Sequence, residues 1–109
     1  MFNKMSYSSP NFKANTTIRV SNNILSKEDT KILTKMGQKI GTNMDSINFS
    51  VRNYNNDLVG ISHKSNFNIN GEDLEVKSTK VLANFQSRVY KYIKNKLEDL
   101  QKLYSTNQI

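Results

Sequence analysis

Basic side chains spaced along one side of the last third of the chain are the residues whose type and spacing best suggest a chemistry. A helical wheel of residues 79–104 collects one polar face, made of Lys80, Asn84, Ser87, Lys91, Lys94 and Lys102, with Arg88 at its margin and Glu98 as its acid. Each cation at this spacing can neutralise one phosphate of a nucleic acid. The pattern therefore predicts a phosphate-binding face.

The excess of positive charge extends this prediction to the rest of the chain. Sixteen Lys and Arg against nine Asp and Glu give a net charge of +7, which favours a polyanionic partner, either a nucleic acid or an anionic membrane surface. The predicted RNA-binding residues are Lys31, Lys35, Arg52, Lys64, Lys80, Arg88, Lys91 and Lys94. An acidic protein surface would attract the same charge, and any single lysine can instead serve solubility.

Catalytic and metal-binding chemistry is poorly represented. The chain has no cysteine and a single histidine, His63, which we expect to be a hydrogen-bonded core or edge residue rather than a general acid or base. Asp73 and Glu75 lack further metal ligands and are expected to balance Arg52 or Lys77. We therefore predict no catalytic residue, no metal, no cofactor and no enzymatic activity.

The elements that position the basic residues follow from hydrophobic periodicity. A helix over 79–104, capped by Ser78 or Thr79, is predicted from apolar residues at helical spacing: Leu82, Phe85, Val89, Tyr92, Ile93, Leu97, Leu100 and Tyr104. Tyr92 and Tyr104 fall near this stripe and are expected to pack rather than stack on bases. This long amphipathic helix requires a second layer to cover its apolar side.

The first half of the chain predicts an arm, a strand and a helix. Residues 1–15 lack periodicity and acids, and we expect a flexible basic arm, with a targeting peptide as the alternative. Alternation over 16–20 predicts a strand. Ser26 is the expected cap of a helix that runs to about Ile40, where Gly41 would adopt a left-handed conformation. Gly37 inside that helix is unfavourable unless it marks a close backbone contact.

Three further strands complete the predicted domain. Alternation over 46–54 and 58–69 predicts two strands, and Asn70-Gly71 predicts a tight hairpin into a strand that ends at Ser78. The element order β-α-β-β-β-α predicts a two-layer α+β sandwich over 16–104, with both helices on one face of a four-stranded sheet and a polar tail over 105–109. The other face would present Arg19, Arg52, Tyr54, Lys64 and Lys77.

The predicted core consists of the apolar residues on the covered face of the sheet and on the facing sides of the helices. They are Ile18, Val20, Ile32, Leu33, Met36, Ile40, Ile47, Phe49, Val51, Val59, Ile61, Phe67, Ile69, Leu74, Val76, Phe85, Val89, Ile93, Leu97 and Leu100. No apolar run is long enough to span a membrane and no secretion signal is visible, so we expect a cytoplasmic or organellar protein with no membrane partner.

Three strings resemble the short ribosome hibernation-promoting factors and ribosome-associated inhibitors. IRVSNNI at 18–24 resembles the first strand and turn of that family, NINGEDLEVKS at 68–78 its last hairpin, and VYKYIKNKLEDLQK at 89–102 its closing helix. The resemblance covers residues 16–104 and implies a β-α-β-β-β-α fold. It also implies a nonenzymatic protein that binds the small ribosomal subunit and occupies the decoding channel.

Two other functions fit the same residues. A small phage or mobile-element inhibitor that docks on a host protein or nucleoprotein would also be small, basic and free of cysteine. A structural subunit of a ribosome, such as an organellar ribosome, would explain a basic arm. The sequence leaves these alternatives open, together with the oligomeric state.

Overall fold

The computed structural model describes residues 13–107 as one domain with the predicted order of elements. The elements are β1 (Asn15–Val20), α1 (Lys27–Gly37), β2 (Ser46–Asn53), β3 (Leu58–Ile69), β4 (Glu72–Ala83) and α2 (Gln86–Asn107). The predicted β-α-β-β-β-α order and the α+β class are therefore confirmed.

The four strands form one mixed sheet in the order β1-β2-β3-β4. β1 pairs parallel to β2, as a connection through α1 requires, whereas β2, β3 and β4 pair antiparallel. Burial alternates along β2 and β3, so one face of the sheet is apolar and carries the helices. The opposite face stays open, and β1 and β4 are the edges of the sheet among the described residues.

The core lies between the sheet and α2, and it contains most of the predicted apolar set. Val89, Ile93, Leu97 and Leu100 are buried at three- and four-residue steps along α2. Two predicted core residues are wrong, since Ile32 is 47% exposed on the solvent side of α1 and Phe85 is 60% exposed before α2. The core also includes three residues that the periodicity did not select: Ala14, Ile24 and Leu25.

The boundary between the last strand and the last helix differs most from the prediction. β4 continues to Ala83, and α2 begins at Gln86 and not at Thr79. The reason is the hairpin: Asn70 and Gly71 both have positive φ, so a two-residue turn pairs β3 with β4 along its full length, from Ile69 with Glu72 to Leu58 with Ala83. Residues 79–83 therefore complete the sheet, and neither Ser78 nor Thr79 caps the helix.

The first helix begins as predicted and ends three residues earlier than predicted. The Ser26 hydroxyl accepts a hydrogen bond of 3.0 Å from the Asp29 backbone N–H. Gly37 is the last residue of α1, and it lies against β1: a Cβ added there would be 2.5 Å from Cγ2 and from Oγ1 of Thr16. The expected close contact at Gly37 is thus present. Gly41 has a positive φ of 68°, in the turn that follows the helix.

The domain extends beyond both predicted limits. Ala14 is buried, and the backbone N–H of Lys13 donates to the Gln38 carbonyl at 2.8 Å, so residues 13–15 belong to the fold and not to an arm. Residues 105–107 are the last turn of α2 and not part of a tail. The rest of the predicted arm, 1–12, and of the predicted tail, 108–109, lies outside the described residues.

Candidate nucleic-acid interface

The eight predicted RNA-binding side chains are all exposed, but the fold separates them into distinct places. Lys80, Arg88 and Lys91 lie together, and Arg52 joins them through Lys80. Lys31 and Lys35 lie in a groove beside β1, and Lys64 stands on the open sheet face. Lys94 lines neither that groove nor the two depressions described below. A helical wheel cannot show this division because it contains no sheet.

A cleft between the edge strand β4 and α2 holds three of the predicted cations. Lys80 comes from the strand, whereas Arg88 and Lys91 come from the first turns of the helix. The cleft has a volume of about 480 Å³ and includes the half-buried ring of Tyr92. None of the described residues that line it is acidic. An anion placed in the cleft would therefore meet positive charge from both walls.

A second depression lies at the same end of the open sheet face. Arg52 and Tyr54 line it on one side and Lys80 and Val81 on the other. Its floor includes Gly60, where an added Cβ would meet nothing within 4 Å. Gly60 sits between Arg52 and Val81 in the sheet register, so its missing side chain leaves room above the sheet. None of the described residues that line this depression is acidic either.

Lys80 lines both depressions, which lie on the two sides of the free edge of β4. Its side chain stands on the helix face, since Lys80 pairs with buried Ile61, whereas Arg52 stands on the open face. We call the four cations Arg52, Lys80, Arg88 and Lys91 the basic band. No salt bridge involves any of them among residues 13–107. Their charge is therefore available to a ligand.

Two exposed aromatic side chains flank the basic band: Tyr54, which the sequence placed on the open face, and Phe85, which it placed in the core. Tyr54 is 66% exposed and Phe85 is 60% exposed. The Arg88 guanidinium carbon lies 5.9 Å from the centroid of the Phe85 ring, a distance typical of cation–π contacts. The Asn70-Gly71 hairpin is the sequence signal that could have placed Phe85 outside the core. It fixes the length of β4, and Phe85 therefore lies before the helix and outside its apolar stripe.

The three other tyrosines among residues 13–107 lie against the core, and Tyr92 and Tyr104 pack there as expected. Tyr90, Tyr92 and Tyr104 are half-buried against the core. The ring of Tyr104 lies 5.9 Å from that of Phe67, and Lys96 Nζ lies 5.9 Å from the centroid of Tyr92. These rings support the helix and offer little free surface for stacking.

Acidic residues on the open sheet face weaken the case for Lys64. Glu75 lies 3.4 Å from Lys64 Nζ and 3.5 Å from Lys77 Nζ, so one carboxylate is shared by two lysines. The expected pairing of Glu75 with Lys77 is therefore observed. Asp73 instead accepts a hydrogen bond of 3.1 Å from the Asn68 side chain. The centre of the open face is thus less cationic than the predicted set suggested.

His63 is an interior residue, as the sequence predicted. It is 4% exposed, and a hydrogen bond of 2.6 Å joins its Nε2 to the Ser65 hydroxyl. The centroid of its ring lies 4.6 Å from that of Phe49, with the two rings tilted by 31°. Burial, together with the nearby charge of Lys96, lowers the pKa of His63 from 6.5 to about 4. His63 is therefore neutral at physiological pH and lies away from the basic band.

Two other properties of the described residues bear on partners. Residues 13–107 contain no group of three or more His, Asp or Glu side chains arranged to hold a metal ion. Neither α1 nor α2 is long and apolar enough to cross a membrane.

Comparisons of the chain with protein-family models, with curated proteins and with solved structures find no match. The resemblance to ribosome hibernation factors therefore rests on the order of elements, the length and the three strings of the sequence.

Proposed function

We propose that the protein is a nonenzymatic RNA-binding protein that holds the phosphate backbone of structured RNA with the basic band. The observation that carries this proposal is the position of Lys80 at the edge of β4, where it lines two acid-free depressions that hold the other three cations. Cations in this arrangement can follow a phosphate backbone around the edge of the sheet.

The setting of the band suits backbone recognition. Its residues stand on β2, β4 and α2, whose positions are fixed by the sheet pairing and the core, so the band is a rigid surface. Rigid basic surfaces recognise double-stranded RNA by its shape and its phosphates. The exposed rings of Tyr54 and Phe85 at the two ends would add stacking on unpaired bases where a helix ends or bulges.

The RNA that we propose is ribosomal RNA of the small subunit, with cytoplasmic ribosomes as the first candidate. This choice comes from the resemblance to the hibernation factors, which also suggests occupation of the decoding channel. A reversible factor of this kind needs no chemistry of its own, because blocking a channel requires only binding.

Sedimentation of tagged protein with cell extract through sucrose gradients tests the proposal. We expect co-migration with small subunits or whole ribosomes at low salt, loss of co-migration at moderate salt and loss after RNase treatment. The double variant Lys80→Glu with Lys91→Glu should stay at the top of the gradient.

The matched control is Lys39→Glu with Lys102→Glu, which changes the net charge equally. Lys39 and Lys102 line a different depression, between α1 and α2. It should still co-migrate. Wild-type protein that stays at the top of the gradient under every condition would refute ribosome binding, and equal loss in both double variants would refute the role of the band. Co-migration that resists high salt would instead favour a permanent ribosomal subunit.

A further inference from the structure

The outer edge of β1 offers backbone hydrogen-bonding groups that no described residue of the sheet uses. The N–H groups of Asn15 and Ser21 point toward β2, since they donate to the carbonyls of Asp45 and Val51 at 2.9 Å. Backbone groups alternate in direction along a strand, so those of Thr16, Ile18 and Val20 point away from β2. Such a row of groups, unpaired among residues 13–107, is the template on which an extended peptide can add as a further strand.

A groove runs beside this edge, between β1 and α1. It has a volume of about 870 Å³. Half-buried Ile18 and Val20 and buried Leu25 give it an apolar floor, and α1 forms the opposite wall. Apolar pockets beside an open strand edge are where alternate side chains of an added peptide are accommodated.

The rim of the groove is basic. Lys27, Lys31 and Lys35 project from α1 at four-residue steps along one side of the helix, and none of the described residues that line the groove is acidic.

Ile18 and Val20 pair with buried Phe49 and Val51, so their side chains lie on the same face of the sheet as α1. A strand added to β1 would turn every second side chain to that face, where an acidic side chain would lay its methylene groups on Ile18 and Val20 and its carboxylate toward the lysines of α1.

We propose that this groove holds an extended peptide of a partner protein that pairs with β1 as a fifth strand and carries acidic side chains at every second position. The site is separate from the basic band, and the proposal does not depend on RNA binding. It assigns Lys31 and Lys35 to a protein ligand, whereas the sequence alone assigned them to RNA.

Charge argues against the other occupants. A second copy of the chain paired edge to edge through β1 would bring the lysines of two grooves together. Residues 1–12 contain Lys4 and no acid, so their charge does not complement the groove.

The test is an amide chemical-shift titration of the full chain with two blocked heptapeptides of alternating residues. One alternates Glu and Val, and the other has Lys in place of each Glu. We expect the Glu peptide to shift the amide signals of Ile18 and Val20 and those of the facing side of α1, and the Lys peptide to leave them unchanged.

Two pairs of variants separate the charge from the backbone contribution. Lys31→Glu with Lys35→Glu should weaken Glu-peptide binding about tenfold, whereas the control Lys39→Glu with Lys102→Glu should not. Val20→Pro removes an outward N–H without breaking a bond to β2, and Val20→Ala loses a similar side chain but keeps that N–H. Val20→Pro should therefore bind several-fold more weakly than Val20→Ala.

Several results would overturn the proposal. They are no shift at millimolar Glu peptide, shifts confined to the basic band, equal binding of the Lys peptide, or equal affinity of the two Val20 variants. Amide signals of β1 that change on dilution without any peptide would assign the edge to a second copy of the chain instead.

Discussion

Asp45 and Asn68 lie 23 residues apart in the chain, and the Asp45 carboxylate accepts a hydrogen bond of 2.8 Å from the Asn68 backbone N–H. Its other oxygen accepts from the backbone N–H of Thr42 at 2.7 Å. Asp45 is fully buried. One carboxylate thus closes the turn between α1 and β2 and joins that turn to the end of β3.

Replacement of Asp45 by Ala should destabilise the domain strongly. It leaves the donors of Thr42 and Asn68 without their acceptor, and we expect a loss of about 3 kcal/mol in unfolding free energy. Urea unfolding followed by circular dichroism measures this loss. Asp73→Ala, which removes an exposed hydrogen bond to the Asn68 side chain, is the control and should change stability by less than about 0.5 kcal/mol. Equal losses would contradict the role of Asp45.

Gly37→Ala should lower stability even though alanine favours helices. The added Cβ would lie 2.5 Å from two atoms of Thr16, so either the helix end or β1 must shift, and we expect a cost of about 1–2 kcal/mol. Thr16→Ala removes both atoms and should rescue much of the loss in the double variant. Gly60→Ala, where an added Cβ meets nothing, should cost no stability. Additive losses in the Gly37 and Thr16 double variant would refute the proposed contact.

The folded domain should become less stable as the pH falls from about 6.5 toward 4. Burial and Lys96 lower the pKa of His63 from 6.5 to about 4, so within that window the unfolded chain binds a proton that the folded chain does not. The full effect is about 3 kcal/mol, present above the unfolded pKa and lost as the pH drops through the window. Urea unfolding midpoints measured between pH 5 and 7 should show this loss of stability toward the lower pH.

The slope of stability against pH over that range should shrink in His63→Leu. Lys96→Gln should raise the pKa of His63 slightly, because it removes the weaker of the two causes. An unchanged slope in His63→Leu would show that other groups titrate in its place.

Phe85→Ala separates the observed helix start from the one that periodicity predicts. Phe85 is 60% exposed, so its truncation should cost less than about 1 kcal/mol. Ile93→Ala, at a fully buried position of α2, should cost about 3 kcal/mol. A loss at Phe85 as large as the loss at Ile93 would place Phe85 in the core.

Most of the fold could be read from local chemistry. Asn70-Gly71, the Ser26 cap and the alternation of Ile47, Phe49 and Val51 each specify their own structure through backbone conformation or burial. The helix start could not be read this way, because residues 79–85 carry apolar side chains at positions that fit both a strand and a helix. The length of β3 decides between them, and that is a tertiary property.

The candidate site was less predictable than the fold. The sequence selected Lys80, Arg88 and Lys91 as one helix face, but Lys80 belongs to β4 and meets the other two only across the cleft. It grouped Lys31 with them, although Lys31 lies beside β1. Charge identifies candidate residues, whereas their grouping depends on which elements the sheet brings together. Asp45 carried no sequence signal, because a buried carboxylate differs from an exposed one only through its distant partner.

The most direct test of the basic band is the salt dependence of RNA binding by the purified protein. Fluorescence anisotropy with a labelled RNA hairpin, measured from low to moderate salt, gives the affinity and its slope against salt concentration. We expect Lys80→Glu with Lys91→Glu to weaken binding at every salt concentration and to make the logarithmic slope shallower by about two units. The control Lys39→Glu with Lys102→Glu should keep the wild-type slope. A slope that is unchanged in the band variant, or equally reduced in the control, would contradict phosphate binding by the band.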